Sequence, residues 1–296
     1  MILHRLESYY RRIRGEDKVV VDFEVNKGFA LYAKKCALTS KLPTTKPDQQ
    51  GIHKLGARLV TVFSPAEAKK IKEDFLRVGE KVSVQNFRAN LDYGEFYNLY
   101  DQPTILPVFK RIFGTLDQEL LTYFNSYYFV YSWNLVETFP ATNPPARSFL
   151  WHCDKGPLRH LKILLYLNGF DEHQGNTEFI SKQNTVDLGK KANYRFRKTD
   201  MRLLDIDSVA AQHKIALDKK SWKINAGQAI IFEPAQVLHR GILPSLNSRY
   251  LLSCILLPSD KPWPNIFEKM CLNKQGGYHP EVWPQHARDL GALLAT

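Results

Sequence analysis

The sequence predicts a mainly β protein with flanking helices, and three observations carry that expectation. From residue 127 the chain passes through short segments rich in aromatic and β-branched residues: YYFVYSWNLVE, LKILLYL, NTEFI, GQAIIFE and RYLLSCILL. Turn residues separate these segments, and helical periodicity nearly vanishes from there until the C-terminal segment. Helix signals concentrate before residue 127. Several short strands of this kind suggest a β-sandwich or jelly roll, a shape that can hold a ligand between its sheets.

In chain order, residues 1–57 read as an N-terminal extension packed on the core. Within it KVVVDFEV (18–25) has strand character and TSKLPTTKPDQQG reads as a loop. At Ser64-Pro65-Ala66-Glu67 a cap, a first-turn proline and a capping-box glutamate converge, and Ile71, Phe75 and Val78 follow at helical spacing until Gly79. A second helix is expected around Leu106 to Phe124. The core domain runs over 58–258. The segment 182–223 interrupts it and far exceeds a usual connection of about 4–6 residues. With Tyr194, Phe196 and Trp222 among its basic residues, it reads as a lid that recruits an anionic substrate, the alternative being a permanently ordered decoration that widens the core. Residues 259–296, with Trp263, Phe267 and Trp283, form a C-terminal tail that packs back on the body.

The chain has 296 residues, 44% of them hydrophobic, enough for one large domain with decorations. No apolar run approaches the roughly 20 residues that span a bilayer. The N-terminus is charged too early for a secretory signal, so a cytoplasmic location is expected. Cys36, Cys153, Cys254 and Cys271 lack paired metal-ligand spacing and read as buried thiols. The net charge of +11 is unevenly placed. Residues 1–60 hold 12 Lys/Arg against 6 Asp/Glu, residues 181–225 hold 11 against 5, and the remainder is nearly neutral. These are either two solvated basic faces or surfaces drawn to something acidic: an anionic substrate, a membrane surface met peripherally, or nucleic acid.

The chemistry is carried by a few residues. Trp151-His152-Cys153-Asp154 sets an imidazole and a carboxylate two positions apart, on one side of an extended segment, with Cys153 turned away. Val237-Leu238-His239-Arg240-Gly241 supplies a second imidazole just after GQAIIFE. Two His and one carboxylate on one face of an octahedron leave positions open for a cosubstrate and dioxygen, the arrangement of non-haem Fe(II) oxygenases. Ten residues beyond His239, Arg249 opens a strand, where its guanidinium can pair bidentately with a dicarboxylate that chelates the iron from its other end.

The WHCD segment, LKILLYLN, NTEFI, NAGQAIIFEPAQVLHRG and SRYLLSCILL together resemble the phytanoyl-CoA dioxygenase family, over about residues 58–258. The resemblance implies a double-stranded β-helix (jelly roll, cupin-like), with Fe(II) and 2-oxoglutarate. It also implies oxidation of an unactivated C–H bond with release of succinate and carbon dioxide. It places the metal on His152, Asp154 and His239 and 2-oxoglutarate on Arg249. Where the family often has a Gly-Ser-His element, this chain reads Ser181-Lys182-Gln183, and neither 1–57 nor 182–223 has a clear counterpart.

Other residues hold secondary places. Asn134 either hydrogen-bonds the metal-proximal carboxylate of 2-oxoglutarate or is an interior amide with a backbone partner. Lys155 and Arg159 are either substrate contacts or exposed loop cations. Lys162 is a rival to Arg249 as the distal anchor. His160 reads as a surface or supporting residue, and Arg240 should point away from His239. The expected activity is hydroxylation of a small-molecule, lipid or sugar-like substrate, anionic if the basic segments recruit it. The alternative is a non-catalytic jelly-roll module docking on acidic surfaces, which would neither bind Fe(II) nor consume 2-oxoglutarate. A nucleic-acid demethylase suits the charge but carries a second arginine soon after the first, and residues 250–255 read YLLSCI. A halogenase is disfavoured by Asp154.

Overall fold

The computed structural model describes residues 23–40, 42, 52, 56–82, 93–141, 144–154, 159–192 and 202–272. Its centre is a seven-stranded antiparallel sheet facing a smaller one. Along the chain come β1 (Ala57–Thr61), β2 (Glu80–Lys81), β3 (Gly94–Asn98), β4 (Tyr127–Thr138), β5 (Leu161–Tyr166), β6 (Asn176–Ile180), β7 (Lys219–Ser221), β8 (Gln228–Phe232), β9 (His239–Ile242) and β10 (Arg249–Ser259). The large sheet has the order β1-β8-β5-β10-β4-β3-β2 and the small sheet β7-β6-β9. An isolated bridge between His152 and His239 adds the segment before β5 to the small sheet beside β9. From β4 onward the chain therefore passes back and forth between sheets, with β4, β5, β8 and β10 in one and residues 151–152, β6, β7 and β9 in the other, only β6 and β7 following one another in the same sheet. That interleaved winding is a double-stranded β-helix.

Alternation along each strand decides what faces where. On β4, Trp133 and Leu135 point to the helices, while Asn134 and Val136 point between the sheets; β10 and β5 follow in register, with Leu252 opposite Leu135 and Ser253 opposite Asn134. The helical side is closed by α1 (Phe23–Ser40), α2 (Pro65–Val78), α3 (Gln102–Phe124) and, after the short helices of the β-region, by a helix at Trp263–Leu272. Phe109 meets Trp133 edge-on at 5.9 Å and Phe267 at 5.1 Å, and Trp133 donates its indole N–H to the Leu99 carbonyl at 2.6 Å. Each such fully buried aromatic side chain contributes about 1.5–3 kcal/mol relative to exposure.

The start of α2 forms as its sequence indicates. Glu67 N–H donates to Ser64 Oγ at 3.3 Å, and Ser64 N–H to Glu67 Oε2 at 2.8 Å. The second helix begins earlier than expected, at Gln102, because Asp101 caps it and Pro107 is accommodated inside its second turn. Most of the strand expected over 18–25 lies outside the described residues, and Phe23 to Val25 open a helix instead.

The largest departure concerns 182–223, which contains α5 (Lys182–Lys191), α6 (Ile206–Gln212) and β7; the intervening α4 (Phe170–His173) is a single turn between β5 and β6. Helices therefore do form within the β-region, although the sequence there carries little helical signal. Local propensity is low in KQNTVDLGKK, so α5 rests on its Ser181 cap and on tertiary burial of Thr185 and Leu188. Leu188, Ile206 and Ala210 pack with Ile180 and Leu238 on the outer face of the small sheet. The final helix, α7 (Trp263–Leu272), lies against β4.

Candidate metal centre and anion pocket

The backbone of the His-x-Asp segment is held at three points. Trp151 N–H donates to Leu203 O at 2.8 Å, His152 and His239 exchange reciprocal backbone bonds at 3.0 Å, and Asp154 N–H donates to Pro234 O at 2.7 Å. Extended geometry then turns His152 and Asp154 inward and Cys153 outward, into the cluster that covers the small sheet's outer face. Arg240, one residue past His239, also points outward, bonding Glu178 at 2.8 Å and lying 4.7 Å over the Trp151 ring.

His152, Asp154 and His239 each offer one ligand atom within 4.8 Å of the others. The two imidazole centroids are 4.4 Å apart. His152 Nδ1 lies 2.7 Å from Leu150 O and His239 Nδ1 lies 2.9 Å from Val237 O. A carbonyl can only accept, so both protons sit on Nδ1 and both Nε2 lone pairs are left for a metal. These Nε2 atoms converge on Asp154 Oδ1 at 3.2 and 3.7 Å, while Lys162 Nζ holds Oδ2 at 2.8 Å. One carboxylate oxygen is thus aimed at the ligand position and the other is held by an ammonium. Phe232 meets the His239 ring edge-on at 4.9 Å and fixes its plane.

The protonation states suit metal binding. Burial alone would raise the Asp154 carboxyl, but Lys162 and the two adjacent imidazoles outweigh it and hold it well below the usual range. Burial and the neighbouring His152 push His239 down to about 3, against the opposing pull of Asp154. An ionised carboxylate and neutral imidazole nitrogens on one face form a donor set that fits Fe(II).

Arg249 lies between the same two sheets, 4% exposed. Its Nη1 donates to Asn176 O at 2.8 Å and Ile242 O at 3.1 Å, and its Nη2 reaches Thr138 Oγ1 at 3.4 Å. Among the described residues its Nε–H has no acceptor. Burial lowers its pKa and the nearby Tyr166 phenol opposes that shift. A buried guanidinium with an orphaned donor is chemically incomplete without an anion.

The remaining residues sort as follows. Asn134 faces the inter-sheet space, and its partner is a side chain, Asn98 Oδ1 at 2.8 Å, rather than the backbone. Lys162 sits on Asp154 and so is placed at the metal side. His160 is buried, 1% exposed, which removes the surface reading. Arg159 is exposed, and Lys155 lies outside the described residues. So do Arg195, Arg197 and Lys198 of the expected lid; of the described parts of 182–223, α5 and α6 cover the small sheet from outside, β7 extends it, and Trp222 packs against Phe179 at 5.6 Å on the inter-sheet side. No helix among the described residues is long and apolar enough to cross a membrane.

No protein-family model matches the chain, and no curated protein matches it in sequence, so the likeness to phytanoyl-CoA dioxygenases is carried by the motifs alone. Among solved structures it overlays on the non-heme α-ketoglutarate-dependent carbocyclase SnoK from nogalamycin biosynthesis. The identity is 13%, over 74% of this chain and 85% of that one, with a TM-score of 0.48. HygX from Streptomyces hygroscopicus, with nickel, 2-oxoglutarate and hygromycin B bound, overlays at 12% identity over 70% and 84%, TM-score 0.43. EvdO2 from Micromonospora carbonacea var. aurantiaca, complexed with 2-oxoglutarate, overlays at 14% over 76% and 97%, TM-score 0.45. At these values the functional assignment rests on the chain's own strand order and site geometry.

Proposed function

We propose that this protein is an Fe(II)- and 2-oxoglutarate-dependent dioxygenase that hydroxylates a C–H bond of a small-molecule, lipid or sugar-like substrate. His152, Asp154 and His239 hold the metal, and Arg249 anchors the cosubstrate's distal carboxylate. The observation that carries this reading is a pairing of incompleteness. Two Nε2 lone pairs and one carboxylate oxygen converge on one position, and a buried arginine whose Nε–H has no acceptor among the described residues lies between the same sheets.

When bound, iron and 2-oxoglutarate together activate dioxygen and supply the oxidising power, with succinate and carbon dioxide as co-products. The protein's residues do the rest. Lys162 restrains Asp154 to one coordinating oxygen, and the Leu150 and Val237 carbonyls orient the imidazoles. Asn134 lines the inter-sheet space as a donor for the metal-proximal carboxylate. Leu164, Phe179, Ile230 and Phe232 keep that space apolar and limit water. Recruitment of an anionic substrate by the basic segments, with Lys155 at the entrance, completes the proposal, as do a cytoplasmic setting and a core over 58–258 flanked by an extension and a tail.

The deciding experiment mixes the protein with Fe(II) and 2-oxoglutarate without oxygen and looks for the visible chelate band. Candidate metabolites are then screened for substrate-stimulated succinate formation, with product mass measured. A product one oxygen atom heavier supports hydroxylation, whereas a ring closure or epimerisation keeps the chemistry class and rejects the hydroxylase. Absence of the chelate band favours the binding-module alternative.

A further inference from the structure

The outer face of the small sheet carries a residue pair directly behind the two histidines of the metal centre. His152 and His239 are antiparallel partners, so Trp151 and Arg240 face each other one step along, with their side chains turned outward. That next step is a non-hydrogen-bonded pair, where side chains approach most closely. The Arg240 guanidinium lies 4.7 Å over the Trp151 ring. Its Nε and Nη2 both bond Glu178 Oε2 at 2.8 Å, and Glu178 is the register partner of Arg240 on β6. Its Nη1 donates to Leu204 O at 3.3 Å. Leu203, the residue before, exchanges backbone bonds with Trp151 at 2.8 and 3.3 Å. One side chain therefore ties together β9, β6, the His-x-Asp segment and the insert. Lys219 Nζ stands 5.9 Å from the same indole and pairs with Asp207 of α6, so the insert grips the segment from that side as well.

The need for such a clamp is local. Isolated bridges, rather than a continuous strand, join His152 to β9 and Trp151 to Leu203. One bridge fixes register weakly, and an opening there separates two imidazoles that must share an ion. A cation over an indole, with its other donors on a carboxylate and a carbonyl, resists that opening. We propose that Arg240 is a positioning residue for the metal centre, holding the His-x-Asp segment in register with β9 so that His152 and His239 keep their spacing. It acts from the back of the sheet, through Trp151. The insert 182–223 then belongs to the scaffold of the metal site through Leu203 and Leu204. The inference rests on the metal-centre reading of His152, Asp154 and His239 and deepens it.

Two measurements on Arg240→Met test it, a substitution that keeps an apolar stem over the indole and removes the fork. The first is amide hydrogen exchange in the metal-free protein, which probes the clamp without any metal. The His152 and His239 amides should exchange roughly tenfold faster, the scale of a partly desolvated cation–π contact, while β10 amides keep the wild-type rate. The second is anaerobic Fe(II) titration by calorimetry, in which the Kd should rise by a similar factor. Arg240→Lys keeps a cation but not the planar fork, and should recover part of both losses. If β10 amides speed up as much as those of the two histidines, Arg240 only stabilises the fold and the proposal fails. Faster exchange at the histidines with unchanged Fe(II) affinity also overturns it, since register would then not govern the metal. An Fe(II)-binding wild type with an unaffected Arg240→Met sinks this role alone, whereas a wild type that binds no Fe(II) sinks the metal-centre reading and this role with it. Should Arg240→Met not fold, Arg240→Lys decides. A smaller acceleration confined to His152 and His239 is expected of it, and its absence rejects the clamp.

Discussion

His152 and His239 form a hydrogen-bonded antiparallel pair, the N–H of each donating to the carbonyl of the other at 3.0 Å. Pairs of this kind hold their Cα atoms about 5.5 Å apart with both side chains on one face. Two imidazoles far apart in sequence thereby become neighbours through backbone bonds alone, before any metal contributes. The metal position is largely prebuilt.

That prebuilding shapes the first prediction. His152→Ala, Asp154→Ala and His239→Ala should each abolish anaerobic Fe(II) binding, measured by calorimetry, while the urea midpoint of the metal-free protein moves little for the two histidines. Their backbone bonds survive the substitution. Wild-type affinity in any one variant removes that residue from the ligand set.

The second prediction separates anchor from metal support. Arg249→Ala should raise the 2-oxoglutarate Kd by a hundredfold or more, since breaking a buried charge pair costs about 3–5 kcal/mol. Arg249→Lys should restore only part, because an ammonium cannot reproduce the fork. Lys162→Met should chiefly weaken Fe(II) binding, as Asp154 loses the group that holds its Oδ2. A large 2-oxoglutarate effect in Lys162→Met with none in Arg249→Ala would reassign the anchor.

The third concerns pH. Burial and then Arg249 push His173 down to about 4. In the unfolded chain an imidazole takes its proton near pH 6.5, so between about 6.5 and 4 the unfolded state binds more protons than the folded one. Stability from this site is full above the unfolded value and declines as pH falls through the window. Urea midpoints at pH 7 and 5 should therefore differ more in the wild type than in His173→Asn; an equal drop in both rejects the assignment.

The fourth tests how the insert is tied down. Lys182 Nζ holds Glu233 Oε2 at 2.5 Å, and Glu233, 2% exposed, also accepts from Tyr123 and Gln236. Lys182→Met removes the cation bonded to that carboxylate and should destabilise the fold by up to about 3 kcal/mol, since Arg159 also acts on Glu233. Adding Glu233→Gln should recover most of it. A single variant as stable as wild type would show that α5 is not anchored through this pair.

Much of the architecture was legible in the residues themselves. Aromatic and β-branched enrichment in YYFVYSWNLVE and RYLLSCILL marks strands, Ser64 and Glu67 mark a helix start, and the two-residue step from His152 to Asp154 puts both on one side, because these are local consequences of residue type and side-chain order. Tertiary structure decided the rest. KQNTVDLGKK has weak helical propensity and becomes α5 only because Leu188 finds Ile180 and Leu238 to cover. His173, in the string DEHQG, has no local signature. Its burial and the nearness of Arg249 that lowers its pKa come only with the folded chain. Periodicity reports which face a residue occupies, whereas an unsatisfied donor exists only once folding has removed water and supplied no partner.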